Sequence, residues 1–194
     1  MLNQLEKNHP DNYFSLLALP VSFSINKKVL TSHYHEIQKS IHPDKYANAS
    51  DLERRLSVQK AAQINDALDT LKNPLQRSIY LLSLLGVDLG ENSQAVDTDF
   101  LMGQMELREH LSRIESQMDP FAELDTLMDD VKSRIQSATE IVSTLFADLL
   151  SRQTDDSQHE ILLNELTAQV LKMQYLYRLE QECLNKEEDL ADHI

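Results

Sequence analysis

Three groups of side chains in this sequence have types and spacings that raise the question of chemistry. His42-Pro43-Asp44 sets an imidazole, a rigid ring and a carboxylate side by side. Proline lacks the N–H that a helix interior needs and pushes the residue before it out of the α region. The tripeptide is therefore a corner that offers a titratable ring and an acid to a partner, or a plain turn in which Asp44 serves as a cap. His33 and His35 form the second group. On a helix, residues two apart point about 200° away from each other, so the pair does not chelate one metal ion. The third is Cys183, the single thiol. It has no partner for an internal disulfide and reads as a small apolar residue at a helix end. There is no glycine-rich phosphate loop, no Ser or Cys nucleophile motif and no carboxylate pair between special turns. An enzyme active site, a metal centre and a cofactor are all not expected.

The elements that position these groups are helices. Three Gly and five Pro in 194 residues leave room for long ones, and no β-period or repeat appears. No apolar run reaches the roughly 18 residues that span a bilayer. The first residues, MLNQLEKNHPDN, lack the basic-then-apolar order of a signal segment. The cytoplasm is the expected compartment, with no membrane partner. The net charge is −14, unevenly placed: residues 1–85 carry 10 basic and 8 acidic side chains, and the rest carry 8 and 24. Two modules with different partners are expected. The acidic half argues against nucleic acid, which needs a basic surface.

Tyr13 to Leu19 reads as a short apolar helix ended by Pro20. Asn26 caps a helix from Lys27 to Ile41, with Val29, Leu30, His33, Tyr34, Ile37 and Ile41 inward. Lys28, Ser32, His35 and Lys39 make a basic stripe on its other side. Past the corner and Lys45, Ser50-Asp51-Leu52-Glu53 is a capping box. It opens a helix to Lys72 with Leu52, Leu56, Ile64, Leu68 and Leu71 as its apolar positions. Asn73-Pro74 starts another, holding Leu75, Ile79, Leu82 and Leu85. Residues 86–97 contain two of the glycines and read as a linker. Asp97 or Thr98 then caps a helix to about Asp119. Pro120 starts a long one with a seam of Phe121, Leu124, Met128, Val131, Ile135, Ala138, Val142, Leu145 and Leu149. Residues 152–158 read as a turn. A last helix runs from His159 to Leu184 on a stripe of Leu162, Leu166, Val170, Met173 and Tyr177, and the acidic tail from Lys186 is expected to fray.

In this setting, residues 12–75 resemble a J-domain, the module that docks on DnaK-type chaperone ATPases and triggers ATP hydrolysis. The stretch INDALDTLKNPLQRSIYLLSLLG (residues 64–86) followed by FLMGQMELRE (residues 100–109) is similar to the HscB family. The resemblance implies an all-α, L-shaped molecule: a J-domain in residues 1–85, a linker at 86–97, and a three-helix bundle in 98–194 that holds a scaffold protein of iron–sulfur cluster assembly. It implies two partners, an HscA-like chaperone ATPase and an IscU-like scaffold. The expected chaperone-binding residues are His42, Pro43, Asp44 and Lys45 with Lys28, His35 and Lys39. Some relatives carry an N-terminal paired CxxC module, absent here, which points to the bacterial type.

The residues of the second module point to a binding face on their own. Counting 100° per residue from Phe100, Leu107, Leu111, Ile114 and Met118 fall within about 40° of it, as a core stripe. Leu101, Met102 and Met105 fall at about 100°, 200° and 140°, beside Glu106 and Glu109. Tyr175 lies about 180° from Leu166 on the last helix. Exposed apolar clusters mark interaction sites, although a helix apolar on two faces is also one with two packed neighbours. By resemblance, the scaffold-binding positions are Leu101, Met102, Met105, Glu106, Glu109 and Tyr175. Arg113 departs from the family by standing where an acid is common, and Gly103 interrupts the helix. Two other readings of the residues stay open: a general J-domain co-chaperone presenting unfolded chains, and an acidic helical adaptor with no chaperone role.

Overall fold

The computed structural model describes residues 11–41, 50–89, 97–151 and 156–192, and among them all regular structure is helical. The helices are α1 (Tyr13–Leu16), α2 (Lys27–Ile41), α3 (Asp51–Lys72), α4 (Pro74–Leu84), α5 (Thr98–Arg113), α6 (Pro120–Ser151) and α7 (Asp156–Asp192). A 3-10 turn, Ile114–Ser116, follows α5. The chain forms two compact units. One holds Met1–Asp88 and Phe146–Gln153, the other Leu89–Leu145 and Thr154–Ile194.

Local chemistry sets most helix starts in the first unit. Asn26 accepts from the Lys28 N–H at 2.9 Å and opens α2. Ser50 and Glu53 close a reciprocal capping box at the start of α3. Asn73 accepts from the N–H groups of Leu75 and Gln76 at 2.9 and 3.2 Å, with Pro74 in the first turn of α4. Each cap satisfies donors that the helix itself leaves open. The ends are equally local. α1 stops at Leu16, earlier than the expected Leu19. Leu19 N–H donates to Phe14 C=O at 2.8 Å and Ala18 N–H to Ser15 C=O at 3.1 Å, with Ala18 at φ 53°. This is a Schellman turn, and Pro20 follows it rather than making it. Gly86, at φ 81°, ends α4 in the same way, with Val87 N–H on Leu82 C=O at 3.0 Å.

Long-range contacts close this unit. Tyr13 stacks on Tyr80 with centroids 4.4 Å apart, and its N–H donates to the Tyr80 hydroxyl at 2.8 Å. The Tyr34 hydroxyl and the Gln38 amide both donate to Asn65 Oδ1, at 3.0 and 2.8 Å, tying α2 to α3. The buried Arg77 guanidinium donates to the Leu71 carbonyl in the last turn of α3 and lies 4.7 Å from the Phe23 ring centroid. A cation there suits the negative end of the helix dipole. Phe23 in turn stacks on Phe146, 5.6 Å away and nearly parallel. Phe146 belongs to α6, so the end of that long helix supplies core to the first unit.

Leu52 and Leu56, expected inward on α3, are exposed, and burial begins at Ser57 and continues through Ile64, Ala67 and Leu71. Apolar spacing marks a face but does not say how far along the helix a neighbour reaches. Val29 and Phe121 are likewise more open than expected.

The second unit is built from α5, α6 and α7. The α6 seam is buried from Leu124 through Leu145, and Leu127 joins it. α7 buries Leu166, Val170, Met173, Leu176, Leu179 and Cys183. Its acidic end does not fray. The helix runs to Asp192, Leu190 is buried, and Lys186 pairs with Glu115 at 2.7 Å.

Candidate functional site

The residues expected to meet a chaperone fall on α2 and in the sequence that follows it. Lys28, Ser32, His35 and Lys39 are all exposed along one side of α2, as their four-three-four spacing requires. His33 is turned away from this stripe and half-buried, with Nδ1 2.9 Å from the Leu17 carbonyl. The two histidines are thus separated by the helix, and among the described residues no His, Cys, Asp and Glu cluster could hold a metal. His42, Pro43, Asp44 and Lys45 lie outside the described residues.

The second candidate face is on α5. Asp97 caps this helix, accepting from the Phe100 N–H at 2.7 Å. The other Asp97 oxygen meets Lys172 of α7 at 2.6 Å. That contact, with the N–H bond, holds the Asp97 carboxyl below its ordinary value. The Lys172 ammonium also stands 5.4 Å from the Phe100 ring centroid. Phe100 packs edge-on against Tyr175 with centroids 6.0 Å apart. Further along, Arg108 donates from Nε to Glu182 of α7 at 2.9 Å, and its terminal nitrogen reaches Oε1 of the buried Gln104 at 3.4 Å. Leu111 and Ile114 are buried beyond them. One side of α5 is therefore fixed by aromatic, ionic and apolar contacts at successive turns.

Among the described residues, the opposite side has no such cover. Leu101, Met102 and Met105 are 36%, 52% and 71% exposed, and Glu106 and Glu109 are exposed beside them. Glu109 pairs with Arg113 one turn on. The apolar three sit at neighbouring helix angles, so they form one patch with an acidic flank. Tyr175 differs from the other five: it is half-buried and packs edge-on against Phe100, on the side of α5 that meets α7. Met118, placed in the core stripe by angle, is fully exposed. α5 ends at Arg113, so the 100° count no longer holds at that position.

Sequence reasoning missed Gln104, Arg108, Glu182 and Lys172. Gln104 and Arg108 are four apart and within about 80° of Phe100, which was a signal for their own contact, but the α7 partner of Arg108, Glu182, lies 74 residues away. Cys183 is buried in the interior of α7, not at its end, and its thiol is pushed up to about 11 by burial, then by Glu182 and Glu180. Burial and the raised value both disfavour its thiolate at neutral pH. Among the described residues, no helix is long and apolar enough to cross a membrane.

The chain is similar to known proteins along most of its length. A family described as the HSCB C-terminal oligomerisation domain matches residues 96–183, which contain the α5 patch. The Shewanella halifaxensis co-chaperone protein HscB homolog is 40% identical over 93% of this chain and 99% of its own length. A Shewanella baltica homolog is 38% identical over the same shares. The HscB chaperone of Vibrio cholerae superposes with a TM-score of 0.78 at 36% identity, covering 92% of this chain and 99% of its own. Human HscB gives 0.76 at 28% identity, covering 91% and 82%. With full-length relatives at this identity and the same two-part helical architecture, the chain belongs to the HscB family of J-domain co-chaperones.

Proposed function

We propose that this co-chaperone stimulates the ATPase of an HscA-like, DnaK-type chaperone and delivers an IscU-like iron–sulfur scaffold to it, in the cytoplasm and without catalysis of its own. His42, Pro43, Asp44 and Lys45, with Lys28, His35 and Lys39, engage the ATPase. Leu101, Met102, Met105, Glu106, Glu109 and Tyr175 hold the scaffold. The observation that carries the reading is the uncovered apolar patch on α5, whose other side is pinned to α7. Binding both partners raises the effective concentration of scaffold at the chaperone. Hydrolysis accelerates because the co-chaperone binds one conformation of the ATPase better than the other.

Two variants test the two halves. Asp44→Asn should abolish stimulation of steady-state ATP turnover while scaffold binding stays intact. Replacing Leu101, Met102 and Met105 together by Ala should weaken scaffold binding by calorimetry at least tenfold, since a few buried apolar residues dominate an interface. Undiminished stimulation in the first case, or undiminished affinity in the second, would remove that half of the reading. A second use of the patch, self-association, is favoured by the family's description as an oligomerisation domain. Concentration-dependent sedimentation that the triple substitution abolishes would favour it.

A further inference from the structure

Two of the three apolar side chains on the open face of α5 are thioethers. Met102 and Met105 are exposed and three positions apart, so they adjoin on the helix surface. The other described methionines are placed differently. Met128 and Met173 are buried in the α6 and α7 seams, and Met118 is exposed but lies past the end of α5. A peroxide attacks an accessible thioether directly. A sulfur lone pair forms the S–O bond as the O–O bond breaks, one oxygen is transferred, and hydrogen peroxide leaves as water. Sulfur loses two electrons and the peroxide gains them. The product is a polar, chiral sulfoxide. Leu101 offers no such reaction.

We propose that Met102 and Met105 form a reversible oxidation site, and that peroxide-class oxidants release the partner from this face by making its centre polar. This rests on the scaffold-binding reading above. A sulfoxide oxygen pressed against an apolar partner loses its water without gaining a donor, which is unfavourable. Methionine sulfoxide reductases reverse the step, two thiols giving a disulfide and water as the thioether returns. Glu106 and Glu109 beside the methionines offer only acceptors, and the nearby Arg113 is already paired with Glu109, so neither acid compensates the new dipole.

The test uses the full chain, treated with hydrogen peroxide and then desalted. Sulfoxide at each methionine is quantified by peptide mass spectrometry, and the chain is titrated calorimetrically with the iron–sulfur scaffold before and after. Met102, Met105 and Met118 are expected to oxidise ahead of Met128 and Met173, with the melt unchanged. Scaffold affinity should fall roughly tenfold or more, on the scale of one buried polar group left unpaired, and a sulfoxide reductase should restore it. Met118→Leu should leave this sensitivity in place. The double variant Met102→Leu, Met105→Leu is scored by its own affinity ratio before and after peroxide, expected to be near one. Unchanged affinity with sulfoxide at both positions, or equal peroxide sensitivity in the double variant, would overturn the proposal while leaving the scaffold reading standing. No affinity in the untreated chain would remove the scaffold reading itself.

Discussion

Phe146→Ala should unfold the first unit at lower temperature although the substitution lies in α6. The side chain is fully buried and stacks on Phe23 at 5.6 Å, with ring planes 10° apart. Phe-to-Ala changes at such sites cost about 3–5 kcal/mol, because packing is lost and a cavity remains. The aromatic pair adds about 0.5–1.5 kcal/mol within that range. Phe23 would keep the Arg77 guanidinium at 4.7 Å but lose its other aromatic neighbour. On the order of 3 kcal/mol in a unit of this size lowers Tm by more than about 10 °C. Ile141→Ala, at a 44% exposed position of the same helix, is the control and should cost well under half as much. Differential scanning calorimetry gives the shift, and amide exchange locates it: α1 and α4 should exchange faster, with α5 little changed. A shift of only a degree or two, or faster exchange confined to α5, would mean that Phe146 does not support the first unit. The same contact bears on truncation. A fragment of residues 1–85 lacks Phe146 and should melt below the same unit in the full chain.

Two smaller predictions concern α5. A Cβ built at Gly103 meets nothing within 4 Å, so Gly103→Ala should stabilise the chain by about 0.5–1 kcal/mol, raising Tm by a few degrees in a thermal melt; a fall would mean the position needs glycine for another reason. Asp97→Asn keeps a capping oxygen but removes the charge facing Lys172. Asp97 is held below its ordinary value of 3.8, so its stabilisation is present above that value and is lost as pH falls through the depressed one. The Tm gap between wild type and variant should therefore be full at pH 7 and close below about pH 4; a gap that stays constant into acid would refute the charge role.

The helix starts were legible because they are local events. Asn26, Ser50 with Glu53, Asn73 with Pro74, and Asp97 act within three residues of themselves, and a capping side chain carries its own partner in the sequence. The end of α1 was misplaced for an equally local reason. Proline forbids continuation, but a left-handed residue can stop a helix earlier, and here that residue is Ala18, a type that carries no such signal. Apolar period identified the α6 seam, yet it could not limit it. Leu52 and Leu56 keep the α3 spacing yet stay exposed, and the charged tail of α7 continues as helix, with Leu190 buried and Lys186 paired with Glu115.

The patch on α5 was legible for a reason that separates it from the residues that were missed. A helix of sixteen residues has one angle per position, so Leu101, Met102 and Met105 must share a side whatever surrounds them. Whether that side is open depends on where the neighbours sit, and this is where Lys172 and Glu182 enter. They pull the Phe100–Arg108 side of α5 onto α7 through Asp97, Phe100 and Arg108. Charged side chains at those positions look like ordinary solvated surface in the sequence. Their effect appears only when the two helices meet, where they join the Phe100–Tyr175 contact and the buried Leu111 and Ile114 in covering that side. The pinned side and the open side are therefore one arrangement: the contacts that hold one face of α5 to α7 leave the apolar face with the methionines outward.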